Sequence, residues 1–340
     1  MSELGDMSAT ASQKDPLMRV GFIGLGSQGG PMARRIIDSG YPVTLWARRP
    51  ASLEPFAGSP VAIAGSPAEL AKASDLVGIC VASDADVEEV VTGEGGVLAG
   101  LGPGGVIAVH STVHPDTCRR LAAQAGARGI ALIDAPVSGG GMAAAEGRLL
   151  VMAGGEPDAV EFCRPVFATY GDPVVHLGPL GSGQVTKLLN NVLFTAHLAT
   201  AASALALGQA LDVDPRRLAD VIAHGSGSSF ALGRIAEAGG TLDRMAPIAG
   251  PLLQKDVRLL ADLADAASAS AGAGAGPARR PSQSPPVVLA AADAALALMN
   301  HPRSAGADLG IIGTVLSSDA AERKVLHPAS APDRDRPPHQ

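Results

Sequence analysis

From Met18 to about Leu177, short apolar runs alternate with amphipathic stretches. The runs at 19–23, 43–46, 61–63, 76–81, 106–109, 130–133, 149–153 and 174–176 have the length and composition of buried strands. Between them, stretches near 28–39, 67–72, 84–91, 115–126 and 157–168 repeat apolar residues at helical spacing. Strand–helix alternation with short turns predicts a mostly parallel, doubly wound sheet. The pattern then changes. Residues 182–211 run without proline and are rich in Leu and Ala. A helix of that length spans about 45 Å, longer than a small domain needs. Further helices are predicted at about 215–224, 229–238, 251–266 and 287–299. The expected architecture is α/β: a doubly wound sheet over 18–180, then an all-α domain over 181–300, joined by the long helix. The boundary falls near Gly178-Pro179-Leu180-Gly181.

Three stretches fall outside this pattern. Residues 1–17 are polar and aperiodic and read as a disordered tail. The Ala/Ser/Gly/Pro-rich text of 267–286 reads as a low-complexity loop between two helices. Residues 301–340 read as a mostly disordered tail.

Composition narrows the function classes. With 46% apolar and 17% charged residues, a chain of 340 residues can bury two cores. The net charge of -7 and the absence of a Lys/Arg cluster argue against a nucleic-acid partner. Aromatic residues at 3% supply no stacking platform for single strands. Cys80, Cys118 and Cys163 are scattered, without metal-ligand or CxxC spacing, which suits reduced thiols in a cytoplasm. The N-terminal text has no apolar h-region and no Arg-rich amphipathic pattern, and no stretch is uniformly apolar enough to span a bilayer, so no membrane partner is expected.

The first motif with chemistry is Gly24-Leu25-Gly26-Ser27-Gln28-Gly29, directly after the apolar run Val20–Ile23. Gly24 permits a tight turn, Gly26 lets the backbone approach a pyrophosphate, and Gly29 lets the next helix lie close to the strand. The phosphates then meet a helix N-terminus, where free N–H groups and the dipole favour an anion. The doubly wound sheet is thereby a Rossmann-type dinucleotide-binding domain. Gly24, Leu25, Gly26, Gln28 and Gly29 are its cofactor residues, with Val81 and Ala82 at the end of the strand 76–81. The second strand ends Trp46-Ala47-Arg48-Arg49, with no carboxylate to accept the ribose 2′-hydroxyl of NAD. Two guanidiniums stand there instead, and Arg pairs with phosphate in bidentate fashion. NADP is predicted over NAD, with Arg48 the leading contact and Arg49 the second.

A second motif follows about 160 residues later: Gly181-Ser182-Gly183-Gln184-Val185-Thr186-Lys187-Leu188-Leu189-Asn190-Asn191. Lys187 and Asn191 are at i and i+4 and share a helix face. An amine beside a carboxamide can protonate a carbonyl oxygen and hold it, or in reverse accept a hydroxyl proton as hydride leaves. The chain holds only five lysines among 26 basic residues, and Lys187 and Lys255 are the two kept within apolar segments. A titratable amine is what Arg cannot supply. Ser138, Gly139 and Gly140 follow the strand 130–133 and can present a hydroxyl and successive N–H groups to a carboxylate. Ser111 and Thr112, leaving the strand 106–109, can stand beside a nicotinamide. The histidines His110, His114, His197 and His224 are too scattered for a ligand set, so no metal is expected.

Together these segments resemble the β-hydroxyacid dehydrogenase family, which includes 3-hydroxyisobutyrate dehydrogenases and tartronate semialdehyde reductases. VGFIGLGSQGGPMARR at 20–35 resembles its cofactor signature and DAPVSGG at 134–140 its substrate signature. GSGQVTKLLNN at 181–191 resembles its catalytic segment, and Lys255-Asp256 its late Lys-Asp pair. The resemblance implies Lys187 as acid/base, with Ser138, Gly139, Gly140, Asn191 and Thr112 about a small carboxylated substrate. It also implies Lys255 beside cofactor or substrate, and a homodimer or homotetramer. Gln184 occupies the place of a His in the related 6-phosphogluconate dehydrogenases, which disfavours a sugar phosphate. Two alternatives stay open: reduction of an imine or another small carbonyl on the same scaffold, and a non-catalytic NADP-binding module for sensing or assembly. Gly225-Ser226-Gly227-Ser228-Ser229-Phe230 sits where such enzymes complete the substrate pocket.

Overall fold

The computed structural model describes residues 17–274 and 286–300. The tails expected at 1–16 and 301–340 and the loop expected at 275–285 lie outside the described residues. Six strands, β1 (Val20–Ile23), β2 (Val43–Trp46), β3 (Val61–Ile63), β4 (Leu76–Ile79), β5 (Val106–Val109) and β6 (Ala131–Asp134), form one sheet in the order β3-β2-β1-β4-β5-β6. Every pairing is parallel. The three central strands are buried at every position, which is why they read as unbroken apolar runs. The strand order reverses between β1 and β4, so a crevice opens beyond their carboxyl ends.

The crossover helices are α1 (Gly29–Asp38), α2 (Pro67–Lys72), α3 (Asp84–Thr92), α4 (Val97–Gly100), α5 (Pro115–Gly126), α6 (Gly140–Ala145) and α7 (Pro157–Phe167). Their starts follow local chemistry. The Ser66 and Ser83 hydroxyls accept from the N–H groups of Glu69 and Asp86, three residues on, at α2 and α3, and proline opens α2, α5 and α7. One core, around Phe22, Met32, Ile36 and Phe167, covers one face of the sheet. A second, around Leu70, Val91, Ile107 and Leu121, covers the other.

The predicted strands at 149–153 and 174–176 do not extend this sheet. They belong to a separate one, β7 (Val137–Ser138), β8 (Leu149–Ala153) and β9 (Gly171–His176), in which β7–β8 is antiparallel and β8–β9 parallel. The two residues Ala135-Pro136 separate β6 from β7, and Pro136 has no N–H to continue a ladder.

The helical part comprises α8 (Ser182–Ala210), α9 (Pro215–Ala223), α10 (Phe230–Glu237), α11 (Ala246–Gly274) and α12 (Val287–Asn300). Helix α8 has the length and apolarity to cross a membrane. Here Leu188, Val192, Leu198 and Leu205 bury one side of it in a third core with α10, α11 and α12. Helix α11 differs from its prediction at both ends. It starts before 251 and runs through Gly274, so the first part of the expected loop is helical. The Ala-rich text that reads as low complexity is also strong helix former.

Candidate active site

The turn between β1 and α1 is shaped by three glycines with different duties. Gly24 has φ +93°, and a Cβ there would lie 2.1 Å from the Cys80 carbonyl oxygen. At Gly29 a Cβ would lie 1.9 Å from the Gly24 carbonyl oxygen, so this glycine lets α1 touch the turn. A Cβ on Gly26 would meet nothing within 4 Å: it faces open space. No acidic residue occupies the first turn of α1, and Gln28 makes no side-chain capping bond. The positive end of the helix is thus available to an anion. Open backbone beside an uncapped helix terminus, at the switch point of a parallel sheet, fits a dinucleotide pyrophosphate.

A cavity of about 690 Å³ starts at this turn and is lined by Leu25, Gln28, Arg48 and Arg49 at one end and by Thr112, Lys187, Asn191 and Lys255 at the other. Val81 and Ala82 lie along its wall. The predicted cofactor and proton-transfer residues therefore share one cavity. Arg48 is not a lone cation there. Its guanidinium pairs with Asp86 Oδ1 at 3.1 Å and Glu89 Oε2 at 2.8 Å. Asp86, itself a lining residue, accepts a hydrogen bond from the Ser83 hydroxyl, which with Arg48 holds its carboxyl below the usual range.

Lys187 leaves α8 with only 7% of its surface exposed. Burial pulls its amine down to about 8; Asp256 works against that fall, and Lys255 adds to it. Asn191, one turn on, donates from Nδ2 to Asp256 Oδ2 at 2.6 Å and accepts from Asn190 Nδ2 at 3.1 Å. Lys255 Nζ stands 3.0 Å from Asp256 Oδ1 and donates to the Thr112 carbonyl, tying α11 to the loop after β5. The Lys255–Asp256 contact is an ion pair without hydrogen-bond alignment, since Oδ1 accepts no hydrogen bond among the described residues. Asp256 was quoted in the sequence only as half of a motif. It is the hub that Asn191 and Lys255 share and the anion nearest in influence to Lys187.

The start of α8 is fixed by residues outside it. The buried Asp134 carboxylate accepts from Gly181 N and Gln184 N, both at 2.7 Å. Burial raises its pKa, and those N–H donors oppose the rise. Gln184, fully buried, donates from Nε2 to the Ser111 carbonyl at 2.8 Å and accepts from Val113 N at 3.0 Å. The Ser111 hydroxyl accepts from Val81 N at 2.8 Å. Ser111 was expected beside the nicotinamide, whereas the anchoring roles of Asp134 and Gln184 were not foreseen from their motifs. Their signal was polar side chains inside otherwise apolar segments. His110 lines the cavity, but its Nδ1 faces the Ala135 carbonyl at 2.7 Å and burial lowers its pKa to about 4.

Two predicted groups are less central. Val137 lines the cavity, whereas Ser138, Gly139 and Gly140 do not. Gly139 and Gly140 take φ of 133° and 77°, and a Cβ on the next residue, Gly141, would lie 2.4 Å from the Ser27 carbonyl. This glycine run brings α6 against the dinucleotide turn. Phe230 is 73% exposed, packs on Phe194, and takes no part in lining the cavity.

With that geometry in view, the comparisons are specific. Residues 19–178 match the family model for the NAD-binding domain of 6-phosphogluconate dehydrogenase. Residues 181–280 match the model described as NAD-binding of NADP-dependent 3-hydroxyisobutyrate dehydrogenase. The NAD-dependent L-serine dehydrogenase of Pseudomonas aeruginosa is 32% identical over 74% of this chain and 87% of its own. A Mycobacterium tuberculosis 3-hydroxyisobutyrate dehydrogenase solved with L-serine superposes with a TM-score of 0.67 at 27% identity, covering 82% of this chain and 92% of that one. Psf3 in complex with NADP+ and 2-OPP superposes with a TM-score of 0.69 at 25% identity, covering 83% and 93%. An NAD(P)-type cleft with a buried lysine, on a chain matched by both family models, places this protein in the β-hydroxyacid dehydrogenase family, as an NAD(P)-dependent oxidoreductase acting on CH–OH groups.

Proposed function

We propose that this chain interconverts a small 3-hydroxy acid with its semialdehyde or keto acid, prefers NADP, and uses Lys187 to move the proton. The nicotinamide, when bound, supplies or accepts the hydride. The observation that carries the reading is a buried amine, pulled down to about 8, in the cavity that also holds the dinucleotide turn. Below that value Lys187 is an ammonium and donates to a carbonyl oxygen as it becomes a hydroxyl. Above it, the neutral amine accepts the hydroxyl proton in the oxidative direction. Asn191, held by Asp256, orients the oxygen, and Thr112 with Lys255 closes the cavity over it. Ser138, Gly139 and Gly140 are assigned to the substrate carboxylate by the family signature rather than by cavity lining. Arg48 and Arg49 at the far end support NADP. Serine, named for two of the relatives, is itself a small 3-hydroxy acid.

The test is a fluorescence titration with NADPH and NADH, followed by NADPH oxidation against a panel of semialdehydes and keto acids. Turnover with an NADPH preference is expected. Lys187→Ala should lower kcat by about 10²- to 10⁴-fold while NADPH affinity stays within about twofold. Equal loss of binding and turnover in that variant would instead support a non-catalytic module. Turnover of imines alone would move the substrate class, and a preference for NADH would sink the Arg48 assignment.

A further inference from the structure

The outer end of the cavity holds two guanidiniums, but it is not a free cationic site. Both terminal nitrogens of Arg48 are spent on carboxylates of α3: Nη1 on Asp86 at 3.1 Å and Nη2 on Glu89 at 2.8 Å. The other acids of that helix are engaged elsewhere, Asp84 with His114 N and the Thr117 hydroxyl, and Glu88 with Arg120. Arg49 lines the same wall and forms no ion pair among the described residues. Bidentate recognition of a phosphate draws on the Nη groups that the carboxylates already engage, with three of the guanidinium's five N–H donors left over. Two arginines against two carboxylates also leave the four groups with no net charge where a dianion is to sit. A ribose 2′-hydroxyl, by contrast, is a donor that a carboxylate welcomes, and Asp86 lines the cavity.

We infer that Asp86 and Glu89 are specificity-determining residues: they compete with the cofactor 2′-phosphate for Arg48 and hold the preference for NADP below what Arg48 and Arg49 would otherwise give. This rests on the reading of Arg48 as the 2′-phosphate contact. No acid stands at the end of β2, yet the fold supplies two from α3. The effect is local, because charges this exposed are screened beyond about 8 Å at physiological salt.

The measurement is the dissociation constant of NADPH and of NADH, by fluorescence, for the full chain and for Asp86→Asn, Glu89→Gln, the double variant and Arg48→Ala. Glu89 is largely exposed, so Glu89→Gln tests the idea without endangering the fold. The double variant should bind NADPH about three- to tenfold tighter, with NADH bound no tighter, and the gain should shrink as salt rises. Unchanged or weaker NADPH binding in both single variants would overturn the competition and make the pair a positioning device for Arg48. The parent reading fails separately: there, Arg48→Ala would leave the NADPH-to-NADH ratio where it was in the unmodified chain.

Discussion

An ammonium buried among apolar side chains loses hydration that its neutral form does not need, so its pKa falls until nearby anions halt it. Lys187 stands in that balance, with burial pulling it to about 8, Lys255 adding to the fall and Asp256 resisting. The rate of hydroxy-acid oxidation should therefore rise with pH through an apparent pKa near 8, and carbonyl reduction should decline through the same value. Asp256→Asn removes the resisting charge, so both profiles should move to lower pH. Its kcat/KM should also fall, since Asn191 loses a charged acceptor and Lys255 its ion pair. Profiles of kcat/KM against pH for the two proteins decide this; an unmoved midpoint would assign the titration to another group. Lys187 and Asn191 were legible in the sequence because one helical turn fixes their common face. Asp256 was not, because Asn191 lies 65 residues away and the adjacent Lys255 alone does not mark a buried aspartate as a hub.

At the scale of elements, the β1–turn–α1 unit separates two uses of glycine that the sequence alone writes identically. Gly24 sits at φ +93° against the Cys80 carbonyl, so Gly24→Ala should destabilise the fold by roughly 2–4 kcal/mol, through strain and collision together. Gly26 faces open space, so Gly26→Ala should unfold within about 0.5 kcal/mol of the unmodified chain yet weaken NADPH by an order of magnitude or more. Urea unfolding beside a cofactor titration reads the two apart. The parallel sheet itself was legible because its strands are short, mostly apolar runs between turn residues, unbroken in the three central ones. Two strands of the smaller sheet, at 149–153 and 174–176, were legible too, but their separation from the larger one was not, since the two-residue strand Val137–Ser138 that completes their sheet lies below any periodic signal. The overlong α11 escaped for the opposite reason: alanine and serine repeats carry no amphipathic period, yet alanine propagates a helix well.

For the whole molecule, the question is how a helical part keeps Lys187 in register with a dinucleotide held by the sheet. Two links do this, and they differ in kind. The N-terminus of α8 is bolted to the sheet by Asp134, whose two oxygens each accept a backbone N–H, and by Gln184, which bridges Ser111 and Val113. Asp134→Asn must turn an amide N–H toward one of those donors whichever way it is flipped. A loss of roughly 1–3 kcal/mol in unfolding free energy is expected, with turnover falling because Lys187 is one helical turn from the bolted Gln184. The second link, Lys255 to the Thr112 carbonyl, lies partly exposed and joins α11 to the loop beside the cavity. Lys255→Met should leave α8 anchored and act chiefly on retention, raising the NADPH dissociation rate severalfold in stopped flow. If the effects were exchanged, with Asp134→Asn speeding release and Lys255→Met lowering the unfolding midpoint more, α11 rather than α8 would be the element that carries the register.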